Sequence, residues 1–345
     1  FFAPLAGAEA VDEHTVRIMT TEPDATFPAR MYWLKMVAAS AADIEDLSDA
    51  PNGTGPYRFV DWTLGQNVTI EANPDYWGDA PAIGEVRFDF IGDGATRVAA
   101  LLSGSADLIT NLSPDDTSVV PQVASVQGQE HPVLILDADD GITADPNVRL
   151  ALNLAVDKQA LVDNVYGGFA VIDNGQLLSP WIAGHNADLE AFPYDPDEAA
   201  RLIDEAGLTG ATIQLVGEEG RWLKDRELLE AIAGYWSAAG LDVQLDILEF
   251  GTYLDVLFDR ETRPDAVFVS SSNDLSDADR QLANEYEAGG IEASNSDAEL
   301  AALIAQARAE LEQRAREALY RDAVALARDN VYFVFLVNNS DIYGL

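Results

Sequence analysis

The stretch ATIQLVGEEGRWLKDRELLEAIAGYWSAAGLDVQLDIL, residues 211–248, decides how the rest of the chain is read. Residues 211–217 are an apolar run of strand length. Residues 223–240, LKDRELLEAIAGYWSAAG, read as a helix. Residues 241–248 alternate as a second strand. A strand, a helix and a strand joined this closely form the repeating unit of a parallel α/β layer.

Working outward, the rhythm continues on both sides. A helix is expected at 251–260, a strand at 265–271, one or two long helices over 297–330, and a strand at 331–337 too apolar for a sheet edge. Upstream, 145–168 and 195–207 read as helices with a proline start and a glycine stop, and 132–137 as a buried strand. The first third differs. TVRIMT (15–20), GPYRFVDW (55–62), NVTIEA (67–72) and EVRFDFIG (85–92) are strand-like, with TLGQ as a hairpin turn. A helix follows, capped by Asp93 and stopped at Gly104. The fold expected is α/β with two lobes: residues 1–137 with 338–345 returning to them, and residues 138–337. Paired crossovers would join the lobes, bend, and close on whatever occupies the cleft.

Bulk properties narrow the functional classes. The 345 residues exceed the size at which one core keeps growing. The net charge is −40, from 60 acidic and 20 basic residues, so nucleic acid and anionic membrane are excluded as partners. Only Lys35, Lys158 and Lys224 are lysines, which points to a protein working in high salt, where screening relieves self-repulsion. With no cysteine, disulfides and thiol chemistry are excluded within the chain. The start FFAPLAGAEAVDEHT has no basic n-region and is not an intact signal peptide.

Catalytic signatures are missing. His14, His131 and His185 stand apart and read as surface residues. No phosphate loop or nucleophile elbow is present, and NGTGPY lacks the third glycine of a dinucleotide site. Carboxylate pairs such as Asp115–Asp116, Asp139–Asp140 and Glu218–Glu219 read as solvated faces in so acidic a chain, and DADDGITADPN does not follow EF-hand spacing. No enzyme activity, cofactor or metal is expected. NPDYWGDAP (73–81) raises a different question, since turn residues there surround Tyr76 and Trp77. Either the rings pin the loop to its own domain or they await a partner.

Residues 53–109, with G-x-G-P-Y, then N-x-x-Y-W, then a helix ending in S-G-x-x-D, resemble the extracytoplasmic solute-binding proteins of the peptide/nickel class of ABC importers, family 5. Residues 147–170, 179–207, 220–257 and 331–345 are similar to the same family, in the same order. The resemblance implies a two-lobed, periplasmic-binding-protein-like (class II) fold with a hinge. It implies a periplasmic or extracellular monomer, held at the membrane through a segment outside this chain, that passes a solute to an ABC permease. Family members are larger, with an additional N-terminal segment and a short tail. It also implies that Tyr76 and Trp77 are structural.

Ligands of open α/β sheets sit beyond the carboxyl ends of strands. Two such places stand out. In GEEGRWLKD (217–225), Arg221 offers a fork of donors and Trp222 a flat face, suited to a carboxylate or planar group, and the segment resembles a G-R-[aromatic]-x-x-D element of a family subgroup. Alternatively it is an ordinary loop opening a helix. In VFVSSSNDLSDADRQ (267–281), the resemblance places Ser271 where peptide-binding members carry a Trp, and Asp274 where they carry the Asp that pairs with the ligand's α-ammonium. Losing the Trp removes a wall. Asp277 is an alternative carboxylate, and Ser271, Ser272 and Asn273 could hydrogen-bond a sugar or other polar solute. The solute could be a peptide, an opine-like conjugate, an oligosaccharide or a chelated metal. Other readings are an extracytoplasmic hydrolase using a carboxylate pair and a ligand sensor on the same fold.

Overall fold

The computed structural model describes residues Phe2, 4–37, Leu47, 49–260 and 263–345. Its first strands form two small antiparallel sheets. β1 (Leu5–Asp12) pairs with β2 (Thr15–Thr20), while β3 (Tyr57–Thr63), β4 (Asn67–Ala72) and β5 (Glu85–Asp89) form a meander. Gly65, at φ +70°, closes the TLGQ turn. β1 escapes a sequence reading because LAGAEAVD is rich in small residues and carries a single β-branched side chain. Trp77 corrects the expectation of a buried ring pair: it is 82% exposed and touches Tyr76 at 5.2 Å between ring centroids.

The helix Gly94–Leu102 starts where Asp93 accepts a bond from the Thr96 amide at 2.8 Å. It packs Val98 and Leu101 against Ile109, Leu112, Val120 and Ile342, forming the small core of the first lobe. β6 (Val123–Gln127) follows, and the chain then enters the main sheet.

That sheet contains β7 (His131–Leu136) and, after β8 (Ala170–Ile172), takes in β9 (Thr212–Glu218), β10 (Asp242–Leu248), β11 (Ala266–Ser271) and β12 (Phe333–Phe335). The strand order is β10–β9–β11–β7–β12. β10, β9 and β11 run parallel, each connected through a helix as the opening stretch foretold. β7 runs antiparallel to both of its neighbours, β11 and β12, so the sheet is mixed rather than parallel throughout. The reason lies in the connections. β7 arrives directly from β6, with no helical crossover to fix its direction.

β12 pairs only with β7 and is therefore an edge by hydrogen bonding, contrary to expectation, yet it is fully buried. Asn153, on the helix Pro146–Leu154, completes its backbone: its side chain donates to the Phe333 carbonyl at 2.8 Å and accepts from the Phe335 amide at 3.2 Å. The two faces of the sheet divide by the strand period. Leu134 and Leu136 enter one core with Leu215, Phe268 and Trp236; Val133 and Ile135 enter another with Tyr253, Tyr286 and Phe333. The helix expected over 145–168 breaks after Leu154, where Asp157 caps a new turn by accepting from the Ala160 amide.

Two short crossovers, neither containing a helix, join the main sheet to a smaller one. Gly128–Glu130 lead from β6 to β7, and Leu336 alone separates β12 from β13 (Val337–Gly344). β13 pairs with β8 over Val337–Asn339 and with β6 over Ser340–Gly344. The crossovers are bonded to each other. The Gly128 amide donates to the Asn339 carbonyl at 3.0 Å, and the Asn338 side chain donates to the carbonyls of Gly128 and Glu130 at 3.0 and 2.9 Å. β7 ends one residue before the expected 137/138 boundary and lies within the main sheet.

Candidate functional site

The C-terminal end of β9 opens into the loop 219–224, and Asp225 organises it. One carboxylate oxygen of Asp225 accepts from the amides of Gly220, Arg221 and Trp222 at 2.8, 3.1 and 3.1 Å, and the other accepts from Arg226 at 2.8 Å. Burial pushes this carboxyl up, while the four amides hold it down. The last residue of the G-R-W-L-K-D segment is thus its clamp.

The clamp sets two side chains. Trp222 stands edge-on to Phe268 and Tyr253, at 5.4 and 6.2 Å, and packs against both large cores. The Arg221 guanidinium lies over the rings of Trp222 and Phe250, at 5.0 and 4.9 Å. No hydrogen bond or ion pair ties it to a carboxylate among the described residues. Leu223 packs against the first-lobe core as well as the second, and Lys224 pairs with Asp115 at 2.6 Å and Glu227 at 2.8 Å. One loop therefore touches both lobes.

Between this loop and the first lobe lies a cavity of about 420 Å³. Arg97, Asn111 and Ser113 contribute from one side, Arg221 and Trp222 from the other, and Glu130, Ser270 and Asn339 from below. A smaller cavity of about 140 Å³ continues behind Arg221 and Trp222, lined by Ser271, Ser272, Arg280, Glu285 and Glu292. Burial drives the Glu285 carboxyl well above its ordinary value and raises that of Glu292.

The expected site residues separate into two groups. Arg221, Trp222, Ser271 and Ser272 meet around the smaller cavity. Ser271 is buried, donating to Glu285 at 3.1 Å and accepting from Gln281 at 3.0 Å. Asn273 is buried behind it and donates to the Asp277 carbonyl and to Gln281. Asp274 turns outward, accepting from the Trp33 indole at 2.7 Å and pairing with Arg280 at 3.5 Å. Asp277 pairs with Arg316 and lines a separate depression beside Pro28 and Tyr320. His131 corrects the surface reading: it is buried, bonded to Asp173 at 2.9 Å and Ser179 at 2.8 Å.

The comparisons bear on what such a cleft serves. Residues 1–292 match the model for bacterial extracellular solute-binding proteins, family 5 Middle. The chain belongs to that family. Among family-5 relatives, it is 27% identical to heme-binding protein A of Haemophilus influenzae, over 96% of this chain and 64% of that protein. It is 26% identical to the dipeptide-binding protein of Escherichia coli, over 97% of this chain and 66% of that protein. The chain thus spans just under two thirds of the length of these curated relatives. NikA from Brucella suis, solved in complex with Fe(III)-EDTA, superposes with a TM-score of 0.86 at 25% identity, covering 99% of this chain and 74% of that one. The family's two-lobed α/β architecture is the one described above.

For this family-5 chain, sequence reading missed Glu130, Ser270, Asn339 and Asp341, which line the larger cavity. A signal existed for the first: Glu130 and His131 are polar residues set directly against the buried run PVLIL. Asn339 gave none, because its place depends on the return of the last strand.

Proposed function

We propose that this chain is the solute-capturing part of an ABC import system, taking a peptide-like or other small polar solute into the cleft and passing it unchanged to a membrane permease. One observation carries the reading. Arg221 is held between two rings at the rim of an interlobe cavity, with its donors uncommitted to any carboxylate. Such a group is poised for a carboxylate or planar solute and has no evident role in holding the fold. The relatives' names point to the same breadth, since heme, dipeptides and an iron chelate differ greatly in size and charge. The protein works outside the cytoplasmic membrane and in high salt, where a charge of −40 is screened.

Closure follows if the solute binds the closed state more tightly than the open one. A shift from 1:99 to 99:1 needs about 5.5 kcal/mol of that difference. The test is mass spectrometry of whatever co-purifies, followed by a thermal-shift screen in high salt. A solute that raises the melting temperature and is recovered intact supports the reading. Recovery of a cleaved product, or no response to any peptide, opine, oligosaccharide or metal chelate, overturns it.

A further inference from the structure

The polar groups at the floor of the larger cavity do not balance. Glu130 sits on the first crossover, Asn339 lies in β13 just past the second, and Ser270 is the last residue but one of β11. Glu130 Oε2, Ser270 Oγ and Asn339 Oδ1 are buried with no hydrogen-bond partner, and Asn339 is only 6% exposed. A buried acceptor without a donor costs free energy, and the single proton of the Ser270 hydroxyl cannot serve both Glu130 Oε2 and Asn339 Oδ1. The positive groups of the same lining are engaged elsewhere. Arg97 donates to the carbonyls of Ile91, Gly92 and Asn111, and Lys224 is paired with Asp115 and Glu227. Arg221 is stacked at the rim. Asp341, also in the lining, makes no ion pair among the described residues.

We infer that this floor is a subsite for a cationic nitrogen group of the solute, an ammonium or guanidinium, held by Glu130, Asp341, Asn339 and Ser270. The inference rests on the solute-binding reading and gives the cleft a chemical preference. A cationic nitrogen supplies what the floor lacks: several N–H donors in one small volume, and a charge opposite to two carboxylates. A neutral hydroxyl supplies one donor and leaves the charges unmet. Burial raises both carboxyls; at Glu130 the Ser270 hydroxyl and the more distant charge of Arg221 oppose it, and at Asp341 nothing does.

The test titrates the full chain, in high salt to suppress diffuse cation binding, with cadaverine and with the pentanediol of matching length. Cadaverine is expected to bind about tenfold more tightly than the diol. Glu130→Gln is expected to cut that preference about fivefold, as is Asp341→Asn, whose half-buried side chain makes it the safer variant to fold. Asp322→Asn, at an exposed acid of the last helix, is expected to leave it unchanged. A chain that accepts neutral solutes but shows no preference for the diamine, or keeps it in both cavity variants, overturns the subsite and leaves the solute-binding reading standing. A chain that binds no solute of either kind overturns both.

Discussion

Two loops leave the same end of the main sheet, and their charged residues have opposite fates. After β9, Asp225 spends its carboxylate on four backbone amides, so Arg221 is held in place with its donors free. After β11, the acids themselves are spent: Asp274 on Trp33 and Arg280, Asp277 on Arg316. The first loop presents a charge; the second uses its charges to pin neighbouring segments. What a charged side chain is bonded to, more than its position on the fold, separates a group that can bind from one that holds the structure.

That contrast is open to test, beginning with its largest consequence. Asp225→Ala leaves four amides without their acceptor and releases the Arg221–Trp222 rim. Solute affinity should fall by more than about tenfold, with a stability loss of roughly 1–3 kcal/mol visible in denaturant titration. Asp225→Asn, which keeps a side-chain oxygen, should recover part of both. Arg221→Ala should weaken a carboxylate-bearing solute about tenfold while leaving the melting temperature within a degree or two, because its exposed guanidinium makes no hydrogen bond or ion pair to a carboxylate among the described residues. Asp274→Ala should cost less than about twofold in affinity, since that carboxylate is already committed; calorimetry of the two variants side by side decides. Equal losses would erase the distinction between the loops.

The crossovers allow a further comparison between tight and loose positions. A methyl group added at Gly128 would stand 2.9 Å from the Asn339 carbonyl oxygen and 3.2 Å from the Asp341 carboxylate. Gly128→Ala should therefore destabilise by about 1–3 kcal/mol, whereas Gly53→Ala, with nothing within 4 Å, should be nearly neutral.

The last effect, read as a slope rather than a loss, concerns a charge buried within one lobe. Burial lowers Lys158 from its ordinary 10.5 to about 8, with Asp157 opposing, while its ammonium donates to the Asn153 carbonyl at 2.8 Å. Folding thus disfavours the proton. The penalty is full below pH 8, and between that value and 10.5 the unfolded chain holds more protons, so this group makes stability rise with pH. Lys158→Met should flatten the slope measured between about pH 8 and 10.5.

How far the sequence revealed this depends on the range of the forces involved. The strand–helix–strand unit at 211–248, the Asp93 cap and the TLGQ hairpin were legible because periodicity, capping and turn chemistry act over a few residues. The mixed sheet was not, because the direction of β7 follows from its direct arrival from β6. Nor was the buried edge β12, whose free backbone groups are met by Asn153 from a distant helix. In the site, the G-R-W-L-K-D segment stood out as a loop motif. The floor did not, since Glu130 and Asn339 meet only when the last strand returns. Trp77 had every mark of a packing residue and remains exposed.

The bonds stitching Gly128 and Glu130 to Asn338 and Asn339 have a mechanical consequence. Two independent straps would let the lobes shear sideways as well as swing. Straps laced together turn about a common axle, as a door does on a single pin, so the approach of one lobe to the other is steered along one path whatever guest prompts it.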